Sequence, residues 1–423
     1  MAGACIAHAA TTYEGTPDNY RGLLRDLRPG DTLHLAPGRY SDGLPLHNVA
    51  GEANNPITIS GPAEGPPALF VAELERNTVS IVDSHDVVVK NLVLDGRDLP
   101  VDAVKCEGTA RYAHHITLEN LLIRRHGNNQ QIVGISTKCP AWNWVIRGNT
   151  IAGAGTGMYF GNSDGTAPFV AGLIELNIVV DTLGYNLQIK HQNRRPDIEG
   201  LPRTSVTTIR RNVFSKASGS STELPRPNVL VGHFPAFGDG VDDRYAIYGN
   251  FFYANPVEAL FQGEGNVALY GNLFVNPYGD AIRIQPHNDI PKNVDIAFNT
   301  VLAERTGISV ALAPRSAAFQ QTVIGNAVFA AASLVGGIQK GNFAATFAEA
   351  DRYLMQPFAA PDALDPAPRF LLMSSDADAP NPAQLADWDR DFNGHPRPPG
   401  SIGAYATVGT NPGWRLAFPL VQD

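Results

Sequence analysis

The chain has 423 residues, of which 43% are hydrophobic and 17% charged, with 41 glycines and 32 prolines. That balance suits a long apolar core joined by short, weakly charged turns. A net charge of -9 argues against a general nucleic-acid binder, which needs a broad surplus of Lys and Arg, and the absence of any run of 18 apolar residues excludes a spanning helix.

Taken in order, the opening MAGACIAHAATTYEG lacks a basic stretch followed by a full apolar segment, so an intact signal peptide is not expected there, and a signal is either absent or already removed. Residues 16–30, TPDNYRGLLRDLRPG, start on Thr, Pro and Asp and stop at Gly30, which predicts a short helix capping the open end of a solenoid. DTLHLAPGRY and NNPITISG then read as first-coil strands.

From there a repeat takes over, and it decides the fold class. VVVKNLVL around Asn91 returns as ITLENLLI around Asn120, WVIRGNTI around Asn149, LIELNIVV around Asn177 and TTIRRNVF around Asn212. It continues around Asn250, Asn272, Asn299 and Asn326. The steps are 29, 29, 28, 35, 38, 22, 27 and 27 residues, one coil length plus insertions. Alternating apolar and polar positions place one side of each strand inward. An Asn recurring at one corner can stack as a ladder, so these asparagines are assigned to the turn and not to chemistry. The prediction is a single all-β domain over 1–423, a right-handed parallel β-helix of about ten coils across 31–342. Residues 343–423 lose the repeat and are expected to fold back along the solenoid. Cys106 and Cys139 fall at nearly the same place on neighbouring repeats, and two small buried thiols are the preferred reading over a bridge.

LRPGDTLHLAPGRYSDG followed by NNPITISG, the Asn-centred coils and the closing DFNGHPRPPGSIGAYA resemble bacterial right-handed β-helix proteins of the polysaccharide-lyase type, akin to alginate lyases and chondroitinase B. The resemblance covers most of the chain and specifies the scaffold better than the activity. It implies a secreted or periplasmic protein acting on an acidic polysaccharide, here expected to be a monomer. Those lyases carry a Lys and an Arg on adjacent coils, whereas the best such pair in this chain lies further apart.

Registering each coil on its Asn brings a later strand of every repeat into a column: GISTKC (134–139), GMYFGN (157–162), NLQIKHQ (186–192), NVLVGHF (228–234), ALFQGEG (259–265), AIRIQPHND (281–289) and GISVAL (307–312). Ile135, Met158, Leu187, Val229, Ile282 and Ile308 point inward, and Lys138, Tyr159, Gln188, Lys190, Gln262, Arg283 and Gln285 point outward. His191, His233 and His287 stand just past the strand ends. Stacked strands sit about 4.8 Å apart, so a few coils span one or two sugar rings. Two insertions, 192–204 and 215–228, flank the column. Between residues 190 and 226 eight Lys or Arg face three acids, an island suited to polyanions.

Proton abstraction beside a uronate carboxylate needs a cation on that carboxylate and a base at C5. Arg283 is the candidate for the first, Lys190, His233 or His191 for the second, and Tyr159 for the leaving oxygen or as the base. Gln188, Arg194, Arg195, Gln262, Gln285, His287 and Lys138 are candidate substrate contacts; Arg203, Lys216 and Arg226 are read as structural or solvated. The loop GDGVDD (238–243) has carboxylates that could take Ca²⁺, but a solvated turn is preferred because the spaced ligands of a strong calcium loop are missing. The reading is a lyase acting by β-elimination. Its alternatives are a C5-epimerase, a hydrolase using acids such as Glu258, Glu264 and Asp289, and a non-catalytic glycan-binding adhesin.

Overall fold

A computed structural model describes residues 9–409. The chain coils as a right-handed parallel β-helix whose every full turn contributes one short strand to each of three columns. Sheet one begins at Thr12–Gly15, which pairs with Thr32–Leu35, and climbs through Ile57–Ser60, Ser84–Lys90, Ala113–Glu119, Val145–Arg147 and Leu173–Glu175 to Ile338–Lys340. Sheet two starts at Gly38–Tyr40 and sheet three at Leu44–His47. Near the far end Thr300–Val310 and Ala327–Val335 are long enough to cross from sheet two into sheet three. The strand columns run longer than the ten coils expected. The first strand precedes the cap instead of following it, because Thr12–Gly15 already carries the alternation that fits the sheet edge.

The capping helix is Tyr20–Leu23 alone, shorter than residues 16–30. Its work is done by Tyr20, whose buried ring meets Tyr40 and Phe70 edge-on at 5.1 and 5.8 Å while its hydroxyl donates to the Gly43 carbonyl. An aromatic ring with a satisfied polar tip closes the apolar end that a bare coil would expose to water. Within the tube the predicted inward residues Ile135, Met158, Leu187, Val229, Ile282 and Ile308 are each fully buried in one continuous core.

The Asn ladder exists, displaced at its start. Asn149, Asn177, Asn212, Asn250, Asn272, Asn299 and Asn326 are buried, and each side-chain amide donates to the Oδ1 of the next at 2.9 to 3.0 Å, ending on Asn342. Asn91 and Asn120 are not members. They lie one position earlier, with φ of 58° and 52°, level with Gly148, Leu176 and Arg211, which share that left-handed conformation. Leu92 and Leu121 occupy the ladder position in those coils, and Leu121 N–H donates to Asn149. Asn tolerates the left-handed region better than other non-glycine residues, so the same residue type serves two adjacent jobs at one corner.

Cys106 and Cys139 are buried free thiols with their sulfurs 3.2 Å apart on neighbouring coils. Residues from Leu354 to Tyr405 contribute side chains that pack against the outside of the solenoid. Leu354, Leu372, Phe392 and Tyr405 cover Phe251, Leu273, Leu302 and Phe329 on the outside of sheet two. Leu385 and Trp388 cover Tyr248, Tyr270 and Phe298 on the outside of sheet one.

Candidate functional site

Because that segment blankets the upper coils of sheets one and two, the outer face of sheet three is the long polar face to inspect. Strand pairing aligns its side chains in rows. One row runs Lys105, Ser136, Tyr159, Gln188, Leu230, Gln262 and Arg283. A second row, two residues further along each strand, contains Lys138, Lys190, Glu264 and Gln285, aligned by backbone bonds such as Lys138 N–H to Cys106 O and Lys190 N–H to Phe160 O. Parallel strands with a strict two-residue period bring about both rows without any special loop.

Lys138 and Tyr159 form the centre. The Lys138 ammonium sits 3.6 Å from the Tyr159 ring centroid, a cation on the ring's negative face. Burial lowers the Lys138 pKa to about 8, with Lys105 and Lys190 adding repulsion against the opposing pull of Asp102. Burial also raises the Tyr159 phenol, helped by Tyr185. One side opens on a groove of about 420 Å³ lined by Arg76, Asp102, Lys105, Gln131, Val133 and Lys138 among others. Asp102 accepts from Val133 N–H at 2.8 Å and from the Ser136 hydroxyl at 3.3 Å, and burial raises its pKa. On the other side burial lowers the Lys190 pKa, and the Arg226 guanidinium lies 5.6 Å from the Tyr185 ring. The resulting strip is rich in cations and carries one amine and one phenol shifted in opposite directions, the pattern of an acid–base pair.

Several expected site residues are committed elsewhere. Arg283 lies in the first row and Lys190 in the second, three coils apart; Arg283 is bound by Glu258 at 2.9 Å and by Asp280. A guanidinium already holding two carboxylates has little left to offer a third. His233 is buried, its Nδ1 2.8 Å from the Phe234 carbonyl, and it stacks on His191 at 5.3 Å instead of projecting between Lys190 and Arg283. His191 stays near Lys190; burial first, then the charges of His233 and Lys190, lower its pKa, and its buried Nδ1 has no hydrogen-bond partner. His287 is exposed on a loop tied to Glu264, which accepts the backbone N–H groups of His287, Asn288 and Asp289. Gln188 is buried in the first row between Tyr159 and Leu230, whereas Gln262 and Gln285 are half-buried further up.

Arg195 is not a substrate contact. Its side chain is 2% exposed and is bonded to the fully buried Asp243 at 2.6 Å, to Gln192 and to the Pro202 carbonyl. It pins the first insertion, on which Arg194 is exposed. The same bond takes Asp243 out of the loop 238–243, where Ser205 also donates to it and Asp239 faces Arg203, so those carboxylates do not converge on a Ca²⁺ position. Lys216 is structural as read, its amine bonded to the Arg226 carbonyl, and that bond shapes the loop that brings Arg226 to Tyr185. The acids expected of a hydrolase are engaged too: Glu258 with Arg283, Glu264 with backbone N–H groups, Asp289 with Arg315.

Sequence reasoning passed over Lys105, Asp102 and Tyr185. Lys105 sits in VKCEG, whose alternation matches GISTKC one coil later, so extending the column by one repeat would have found it. Asp102 and Tyr185 lie in the turns before the strands, where no period marks them.

No protein-family model matches this chain, and no curated protein matches it in sequence. Among solved structures it is similar to a PL6 family alginate lyase, with a TM-score of 0.53 and 17% identity over 76% of this chain. The chain spans about half of that lyase, 48% of its length. A GH136 lacto-N-biosidase from Eubacterium ramulus aligns at TM-score 0.44 and 13% identity over 79% of this chain and 68% of its own. A pectate lyase from Xanthomonas campestris aligns at 0.40 and 13% over 66% and 82%. The alginate lyase likeness establishes the shared fold, a parallel β-helix of the kind polysaccharide lyases use.

Proposed function

We propose that this chain is a polysaccharide lyase that cleaves a uronic-acid polymer by β-elimination on the outer face of sheet three. The observation that carries the reading is the Lys138 ammonium seated on the Tyr159 ring at the edge of an open groove that also holds Asp102 and Lys105, the latter paired with Glu107 at 2.9 Å. Lys190 and Arg226 hold the uronate carboxylate and lower the cost of negative charge delocalising into it. Lys138, with its pKa near 8, supplies a neutral amine that takes the C5 proton. The freed electron pair forms the C4–C5 double bond, the C4–O4 bond breaks, and O4 takes the Tyr159 proton, which burial keeps on the phenol. Arg194 on the insertion extends contact to neighbouring sugars. A polymer substrate of this kind implies a secreted or periplasmic setting, and the fold shared with a PL6 family alginate lyase agrees with the class of reaction.

The test is incubation with alginate, glucuronan, pectate, and chondroitin or dermatan sulfate while following the unsaturated-uronate absorbance. Turnover is expected on at least one, with kcat/KM rising as pH increases through about 8, because the base must lose its proton. New reducing ends without absorbance would indicate a hydrolase, C5 exchange without cleavage an epimerase, and binding without turnover an adhesin; each would overturn the proposal.

A further inference from the structure

Round the corner from the groove, two coils of sheet one build a second cluster that the lyase reading does not use. Strands Ser84–Lys90 and Ala113–Glu119 pair with His85 against His114 and Val87 against Ile116, which leaves Asp86 beside His115. Asp86 and His115 both adopt the left-handed conformation, with φ of 51° and 54°, and this turns their side chains back toward the residue before them. The rings of His85 and His114 stack at 4.7 Å, and Trp142 from the next coil covers His114 at 4.4 Å.

Stacking accounts for the parallel rings but not for where their nitrogens point. His85 Nδ1 lies 2.8 Å from Asp86 Oδ2, and His114 Nδ1 lies 2.8 Å from His115 Nδ1. One ligand-capable atom from each of His85, Asp86 and His114 falls within 4.8 Å of the others, the only such trio among the described residues. Two facing imidazole nitrogens share at most one proton. Asn143 Nδ2 donates to His115 Nε2 at 2.9 Å, so His115 carries its proton on Nδ1 and His114 accepts with a lone pair.

We propose that His85, Asp86, His114 and His115 form a binding site for a divalent transition-metal ion, with Zn²⁺ as the reference ion. Three imidazole nitrogens and one carboxylate are a common tetrahedral donor set; His85, Asp86 and His114 already offer three donors within 4.8 Å of one another, and on binding one stacked ring turns out of the stack while His115, 2.8 Å from His114, swings in as the fourth. On binding, the His85 and His115 protons pass from Nδ1 to Nε2, each ring stays neutral, and the Asn143 amide turns its oxygen toward the new N–H of His115. The ion would tie two coils together at the corner where the chain leaves Lys138 for Trp142. The geometry of the cluster carries this inference independently of the lyase reading.

The experiment uses the full chain after chelator treatment. Titration with Zn²⁺ followed by calorimetry is expected to give one site per chain at micromolar affinity or tighter, and Co²⁺ is expected to give the visible absorption of a four-coordinate nitrogen-rich site. Asp86→Asn and His115→Asn keep a residue type that tolerates the left-handed backbone, so the fold should survive, and each should weaken Zn²⁺ at least about tenfold. His47→Ala, a histidine on sheet three, should leave affinity unchanged. No Zn²⁺ heat and no Co²⁺ band in the parent protein, or undiminished affinity in both variants, would overturn the assignment.

Discussion

Replacing Asn212 by Ala tests how the solenoid holds its corner. The residue is fully buried, and its Oδ1 accepts the backbone N–H and the side-chain amide of Asn177 while its own amide donates to the carbonyls of Ile174 and Arg210 and to Asn250 Oδ1. After truncation the Asn177 amide keeps the Ile146 carbonyl, and Asn250 Oδ1 keeps the residue-212 N–H. The Asn177 backbone N–H loses its acceptor inside the core. A buried orphan donor costs about 1–3 kcal/mol, and the upper end of that range, about 3 kcal/mol, is expected here. Urea unfolding followed by circular dichroism reads this, with hydrogen exchange at residue 177 as the local report. Asn120 is the control, since it is exposed at φ 52° and outside the ladder. Asn120→Ala should cost about 1–2 kcal/mol of left-handed strain, and Asn120→Gly should recover it. Asn212→Gly should recover nothing, because the ladder needs the amide and not the backbone freedom. A loss below about 1 kcal/mol for Asn212→Ala, or rescue by Gly at 212, would refute the reasoning.

The other expectations concern the site and its supports. Arg195→Met leaves Asp243 buried without its cation, so the chain should lose about 3–5 kcal/mol and show faster proteolysis of residues 193–205, with KM on a confirmed substrate following only as far as that loop moves. Arg283→Ala should release Glu258 and Asp280 and lower thermal stability, with kcat retained within about threefold; a loss of kcat matching that of Lys138→Ala would return Arg283 to the reacting centre. Burial holds the Lys138 pKa near 8 against 10.5 for the unfolded group, so between those values the unfolded chain binds the extra proton and stability rises with pH. Lys138→Met should therefore be more stable at pH 7 yet inactive, and unfolding curves measured from pH 7 to 10.5 should show its advantage shrinking. Cys106 and Cys139 should resist thiol reagents in the native protein and react in denaturant, as mass mapping of the labelled peptides would show, since burial raises the Cys106 thiol well above its ordinary range.

The coil length, the inward apolar stripe and the identity of the polar column were legible in the sequence because each depends on local regularity. A two-residue strand period and a recurring corner residue repeat within one coil, so Ile135, Met158, Leu187 and Val229 could be assigned inward and Tyr159 and Lys190 outward before any contact was known. Adjacent residues of one corner share no such mark. Whether Asn120 or Leu121 faces the ladder turns on a single left-handed residue, which alternation does not encode. The charged groups were harder still. Arg195 meets Asp243 48 residues away, and Arg283 meets Glu258 25 residues away, through loops of unequal length. Composition counted those cations as an available island, but a charge is available only when no buried carboxylate already holds it, and burial and pairing are properties of the packed chain. The tertiary structure likewise decided that Lys138 lies on Tyr159, because one coil's side chain reaches over the next. It decided too that residues between 354 and 405 cover sheets one and two while sheet three keeps its polar face, since that covering depends on where an irregular segment finds apolar surface to bury.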